Sequence, residues 1–144
     1  MSNLDERIAR ILKENHTMGH IDYLTCAPTE ANFREFVDYL FQMKREGADG
    51  FHHAATGLAG EAGEVLDHTK KHWVYGRDLD LEKVFEEMGD TIHYFMMLMI
   101  KLEEYTGQKI SFATFIGNNM VKLRKRYPNG FTKEAAIARA DKAG

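Results

Sequence analysis

Apolar residues recur every three to four positions along most of the chain, which is the pattern of amphipathic helices. The first such stretch covers residues 4–16, and the residues that follow it, 17–28, lack a regular pattern. A second apolar stripe predicts a helix over about 29–45. A turn at 46–50 separates it from a third helix over about 51–73, whose apolar period is the clearest in the chain.

The second half of the chain shows the same period. It predicts a fourth helix over 81–105, a fifth over 112–127 and a short last helix over 133–141. Residues 92–100 are apolar on nearly every side, so this part of the fourth helix must be covered from more than one direction. It is therefore either central to the fold or shared with another subunit. Residues that favour helix N-caps precede three of the helices: Thr29, Asp78 or Asp80, and Thr132.

The residue types agree with this pattern. The only prolines are Pro28 and Pro128, so residues 29–127 contain no proline break, and eight methionines favour helix over strand. The sequence predicts an all-α bundle of four to five main helices with short connections. We expect residues 1–28 to form an N-terminal helix and irregular extension, and residues 29–144 to form the main domain.

Composition and charge exclude several classes of protein. The net charge of −3 lacks the basic field of a general nucleic-acid binder. Cys26 is the only cysteine, so no internal disulfide can form. The longest apolar run is seven residues, far short of the roughly 20 needed to cross a bilayer, and the charged N-terminus is unlike a secretory signal. We expect a cytoplasmic protein without nucleic-acid or membrane partners.

Two pairs of acidic residues stand out on the third and fourth helices. Glu61 and Glu64 are spaced i, i+3, and so are Glu87 and Asp90. The two acids of each pair therefore lie on the same face of their helix, beside its apolar stripe. If the two helices pack antiparallel, the four carboxylates converge and repel one another unless a cation lies between them. Mg²⁺ suits such oxygen ligands. Four solvated surface acids remain the alternative.

Basic and amide side chains follow these acids in positions that suit a polyphosphate. Lys70 and Lys71 lie one to two turns beyond Glu64. Asn119, Lys122 and Arg126 share one face of the fifth helix. A solvated helix end is the alternative for this second group, because cations are favoured at helix C-termini.

Glycines inside the helices are unusual because each costs about 1 kcal/mol relative to alanine. Gly57, Gly60 and Gly63 lie in the third helix, and Gly89 lies between the two acids of the fourth. They permit close approach of a ligand or, as the simpler alternative, tight packing of helices. None belongs to a phosphate-binding loop motif.

Three segments together resemble a known family. They are GLAGEAGEV at 57–65, EEMGD at 86–90 and NMVKLRKRYPNGF at 119–131. They contain an ExxE motif and an ExxD motif separated by twenty-two residues. This order and spacing resemble the pattern of the MazG-like branch of the all-α NTP pyrophosphatases. The resemblance covers about residues 30–140.

The resemblance implies an enzyme that hydrolyses nucleoside and deoxynucleoside triphosphates to the monophosphate and pyrophosphate. It implies a homodimer or homotetramer and Mg²⁺ as cofactor, with Mn²⁺ as a substitute. The metal ligands it implies are Glu61, Glu64, Glu87 and Asp90. An acid that the metal does not fully engage can also act as general base, and we expect that acid to be Glu64. The phosphate-binding residues it implies are Lys70 or Lys71, Asn119, Lys122 and Arg126.

Two other functions fit the same residues. One is a pyrophosphohydrolase acting on a phosphoribosyl-linked nucleotide, which uses the same carboxylate chemistry. The other is a non-catalytic helical module that binds nucleotides or mediates assembly. Competition between substrates separates the first from the triphosphate enzyme, and loss of function on replacing Glu64 argues against the second.

Overall fold

The structure, a computed structural model, describes residues 29–40 and 48–142. Within these ranges the chain forms α-helices and no strand, which confirms the all-α prediction. The helices are α1 (Glu30–Leu40), α2 (Ala48–Tyr75), α3 (Leu81–Thr106), α4 (Phe112–Arg126) and α5 (Lys133–Ala138), followed by a 3-10 turn at Ala140–Lys142. The predictions for residues 4–16, 17–28 and 41–45 lie outside the described residues.

The chain divides into two compact units, Met1–Gln108 and Lys109–Gly144. The first contains α1, α2 and α3, and the second contains α4, α5 and the 3-10 turn. The domain boundary expected after residue 28 stays a prediction. No helix in the described ranges has the length and apolar character needed to cross a bilayer.

Helices α2 and α3 lie antiparallel and form the frame of the first unit. The ring of Phe51, near the start of α2, lies 6.2 Å from that of Tyr105, at the end of α3. Gly76 ends α2 with a positive φ of 64°. Asp80 is the residue that caps α3, because its Oδ1 accepts a hydrogen bond from the backbone N–H of Lys83 at 3.1 Å.

Helix α2 begins earlier than the sequence pattern indicated. Residues 46–50 were expected to form a turn, yet the helix already includes Ala48, Asp49 and Gly50. Aspartate and glycine favour turns, but an aspartate in the first helical turn also interacts well with the positive end of the helix dipole. Gly50 is buried, and its lack of a side chain suits that position.

The core of the first unit lies along the second half of α3. Met96, Met97 and Met99 are fully buried, because α1 and α2 both pack against this helix. Arg34 of α1 donates a hydrogen bond from Nη1 to Oε2 of Glu103 on α3 at 2.6 Å. The prediction that this apolar segment is covered from more than one side is therefore confirmed within one chain for Met96, Met97 and Met99, whereas Ile92 at the start of the segment is 48% exposed.

The second unit is built on two capped helices. Ser111 caps α4, and its side chain and that of Thr114 each accept a backbone N–H of the other, at 3.2 and 3.3 Å. The hydroxyl of Thr132 caps α5, as predicted, by accepting the N–H of Ala135 at 3.1 Å. Helix α5 ends at Ala138, earlier than predicted, because Arg139 adopts the left-handed conformation.

Candidate metal centre

Three carboxylates from α2 and α3 converge in the first unit. Glu61, Glu87 and Asp90 each offer an oxygen, and these atoms all lie within 4.8 Å of one another. The i, i+3 spacing puts Glu87 and Asp90 on one face of α3, and the antiparallel packing brings Glu61 opposite them. Glu87 is buried, Glu61 is half-buried and Asp90 is exposed, so the cluster opens to solvent on one side.

The negative charges of this cluster act on one another. Burial raises the pKa of Glu61, and the charges of Asp90, Glu64 and Glu87 raise it further. Such a cluster is unfavourable until a cation neutralises it. Carboxylate oxygens at this separation are the ligands that hard divalent cations prefer, so the donor set fits Mg²⁺ or Mn²⁺.

Glu64, expected as the fourth ligand, lies outside the converging group. It is exposed on α2, about 60° around the helix from Glu61 on a wheel of about 100° per residue. Its charge still contributes to the raised pKa of Glu61. The ligand and general-base roles of Glu64 therefore stay predictions.

Lys70 and Lys71 lie on α2 beyond the acids and share one partner. Their ammonium nitrogens are each 2.6 Å from a carboxylate oxygen of Asp67, Oδ1 and Oδ2 respectively. Hydrogen bonds from both lysines lower the pKa of Asp67 to about 2. Exposed ion pairs of this kind contribute little to stability, because water screens them. The phosphate-binding role of Lys70 and Lys71 stays a prediction.

The remaining phosphate-binding candidates lie on α4, in the second unit. Asn119 and Lys122 are exposed. Arg126 instead donates to Asp141 in the 3-10 turn, from Nε to Oδ1 at 2.6 Å and from Nη2 to Oδ2 at 2.5 Å. The arginine lowers the pKa of Asp141 to about 2. Sequence reasoning missed this structural role, and the phosphate-binding role of Arg126 stays a prediction.

The part of the chain that contains these acids matches a known protein family. Residues 50–131, more than half of the chain, match the family model of the MazG nucleotide pyrophosphohydrolase domain. The chain belongs to this family. No curated protein and no solved structure matches the chain.

The matched MazG range contains the converging acids and a residue next to them that the sequence analysis missed. The Nε2 atom of His68 lies 3.8 Å from Oε1 of Glu87. His68 is seven residues after Glu61 and four after Glu64, so helical spacing alone puts it on the acidic face of α2. That spacing was the signal that could have identified it.

Helices α2 and α3 pack closely at Gly57. A Cβ atom built there would overlap the ring of Tyr94 on α3, so a larger residue would force that ring to move. The tight-packing interpretation holds for this position. Packing within one chain does not explain Gly60, Gly63 or Gly89, because among the described residues no atom beyond the neighbouring helix backbone lies within 4 Å of an added Cβ.

A cavity of about 910 Å³ lies at the other end of the α2–α3 pair, away from the acids. Its lining is mostly apolar and includes Phe51, Ala55, Leu102 and Tyr105. The lining also includes His52, Lys101 and Glu104, but metal-assisted hydrolysis needs converging metal ligands, which the acidic cluster provides. We therefore place the candidate site of the MazG domain at the acids.

Proposed function

We propose that this chain hydrolyses nucleoside and deoxynucleoside triphosphates to the monophosphate and pyrophosphate in a reaction that depends on Mg²⁺, which Mn²⁺ can replace. The observation that carries the proposal is the convergence of Glu61, Glu87 and Asp90 within 4.8 Å, inside the range that matches a nucleotide pyrophosphohydrolase domain.

The residues divide between metal binding and proton transfer. Glu61, Glu87 and Asp90 would hold the cation, with Glu64 completing the set. When bound, the cation neutralises charge on the phosphate oxygens and lowers the pKa of bound water. Glu64 would be the acid that the cation engages least, because it lies outside the group that converges within 4.8 Å, so its carboxylate would also accept a proton from the attacking water.

Cationic and amide side chains would bind the phosphates and stabilise the leaving pyrophosphate. Lys70 and Lys71 would release Asp67 and bind phosphate oxygens in its place. Asn119 and Lys122 would contribute from α4, and Arg126 would do so only by sharing its guanidinium with Asp141.

Pyrophosphate release from a panel of canonical and modified NTPs and dNTPs tests the proposal. We expect release with Mg²⁺, none with EDTA, and a loss of about 100-fold or more in Glu64→Gln, because general bases contribute about 10²–10⁴-fold. Preferential turnover of an added phosphoribosyl-linked nucleotide would support the alternative substrate class. No turnover, together with nucleotide-induced thermal stabilisation, would support a non-catalytic binding module.

The first half of α3 carries an exposed apolar stripe that suggests a protein partner. Phe85, Met88 and Ile92 are 40%, 53% and 48% exposed and are spaced i, i+3, i+7. Exposed apolar side chains grouped in this way are typical of protein–protein interfaces. We propose that a second copy of the chain covers the stripe, giving a homodimer or a homotetramer.

The substitution Ile92→Glu tests this assembly. A charge at Ile92, the last residue of the stripe, would have to be buried without a partner, so we expect a shift to monomer in light scattering after size exclusion. The control is Glu86→Lys, which changes a charge at an exposed polar position of the same helix. A wild-type monomer, or an assembly that Ile92→Glu leaves intact, would contradict the proposal.

A further inference from the structure

Glu87 is a buried acid on α3. It is 8% exposed, and two of its neighbours, Glu61 and Asp90, are also acids. A carboxylate taken out of water needs a donor or a cation as partner. Because a metal ion would occupy only part of its coordination capacity, the orientation of Glu87 depends on what else contacts it.

His68 is the basic side chain that approaches Glu87 from α2. The 3.8 Å between its Nε2 and the Oε1 of Glu87 is too long for a hydrogen bond, but a small rotation of either side chain closes it. The imidazole side chain is 17% exposed, so the packing of α2 on α3 restricts where it can move. His72, one turn further along α2, instead contacts the carbonyl oxygen of Arg77 through Nδ1 at 2.7 Å.

We propose that His68 is a positioning residue, which donates from Nε2 to Glu87 and holds that carboxylate in the orientation that binds the cation. This inference rests on the proposed metal-dependent function and adds a residue to it. The neutral imidazole with its proton on Nε2 already provides the donor. Donors of this kind behind a metal ligand are worth about 10–100-fold in metal affinity.

Replacing His68 by two amides of different reach tests the role. The amide nitrogen of glutamine reaches about as far as Nε2, whereas that of asparagine stops near the position of Nδ1. We would titrate the full chain with Mg²⁺ and with Mn²⁺ by calorimetry, without nucleotide, in wild type, His68→Gln, His68→Asn and the control His72→Asn. Thermal unfolding would establish that each variant is folded.

The expected result is a loss of about 10–100-fold in the affinity for both cations in His68→Asn, with most of it restored in His68→Gln. His72→Asn should bind as wild type does. Equal affinity in wild type and His68→Asn would overturn the positioning role and leave the proposed function standing. A loss confined to Mn²⁺ would also overturn it, because it would make His68 a direct nitrogen ligand. A wild-type chain that binds neither cation would overturn both proposals.

Discussion

Glu87→Gln is expected to lower metal-dependent pyrophosphate release by about 1,000-fold or more while leaving the metal-free protein as stable as wild type or more so. Metal ions contribute several kcal/mol to such reactions, and each factor of ten in rate corresponds to about 1.4 kcal/mol. Glutamine keeps the shape of the buried side chain but removes one of the charges that face Glu61 and Asp90.

The expected effect of Glu87→Gln on the free energy of unfolding depends on pH. The pKa of Glu61 is raised in the folded chain by burial and by its acidic neighbours. An acid whose folded pKa lies above its unfolded value favours folding at low pH, and that contribution is lost as the pH rises through the folded pKa. Replacing Glu87 by glutamine removes one cause of the raised pKa of Glu61. As the pH rises above the ordinary pKa of glutamate, the free energy of unfolding should therefore fall less in Glu87→Gln than in wild type. Thermal unfolding between pH 4 and 8, with EDTA present, measures it.

Glu86→Gln is the matched control, since Glu86 precedes Glu87 on the same helix. Its side chain is 56% exposed and pairs with Lys83 at 2.6 Å. We expect it to keep wild-type activity and stability. Activity within tenfold of wild type in Glu87→Gln, or an equal loss in Glu86→Gln, would contradict the assignment of Glu87.

Gly57→Ala is expected to lower the free energy of unfolding by about 1–3 kcal/mol, the usual cost of overfilling a packed position. Helix propensity alone predicts the opposite sign, a gain of about 1 kcal/mol. The new methyl group would overlap the ring of Tyr94, whose centroid lies 6.2 Å from that of His53 and 5.4 Å from that of His93. Urea unfolding of the purified variant measures the change.

Gly60→Ala and Gly63→Ala are the controls for this substitution, because they lie on the same helix with open space around them. Each should raise the free energy of unfolding by up to about 1 kcal/mol. A stabilised Gly57→Ala would contradict the close packing against Tyr94. Destabilisation by Gly60→Ala would instead mean that a second chain occupies that space.

Local spacing predicted the helices well because helix formation depends on neighbours within four residues. Asp80 and Thr132 cap the helices that their positions predicted. The same spacing puts Glu87 and Asp90 on one face of α3. The start of α2 was misplaced because aspartate and glycine favour both turns and helix ends, and only tertiary packing chooses between them.

The order of residues along the chain was enough to predict a helical protein, two pairs of acids on consecutive helices, and motifs that the MazG family match confirms. Which of these residues meet depends on how the helices pack. This packing brought Glu61 into the converging group and left Glu64 outside it. It also brought His68 to Glu87 and Arg126 to Asp141. The physical reason is that helical periodicity fixes positions around one axis, whereas the rotation of one helix against another depends on side-chain packing between residues distant in sequence.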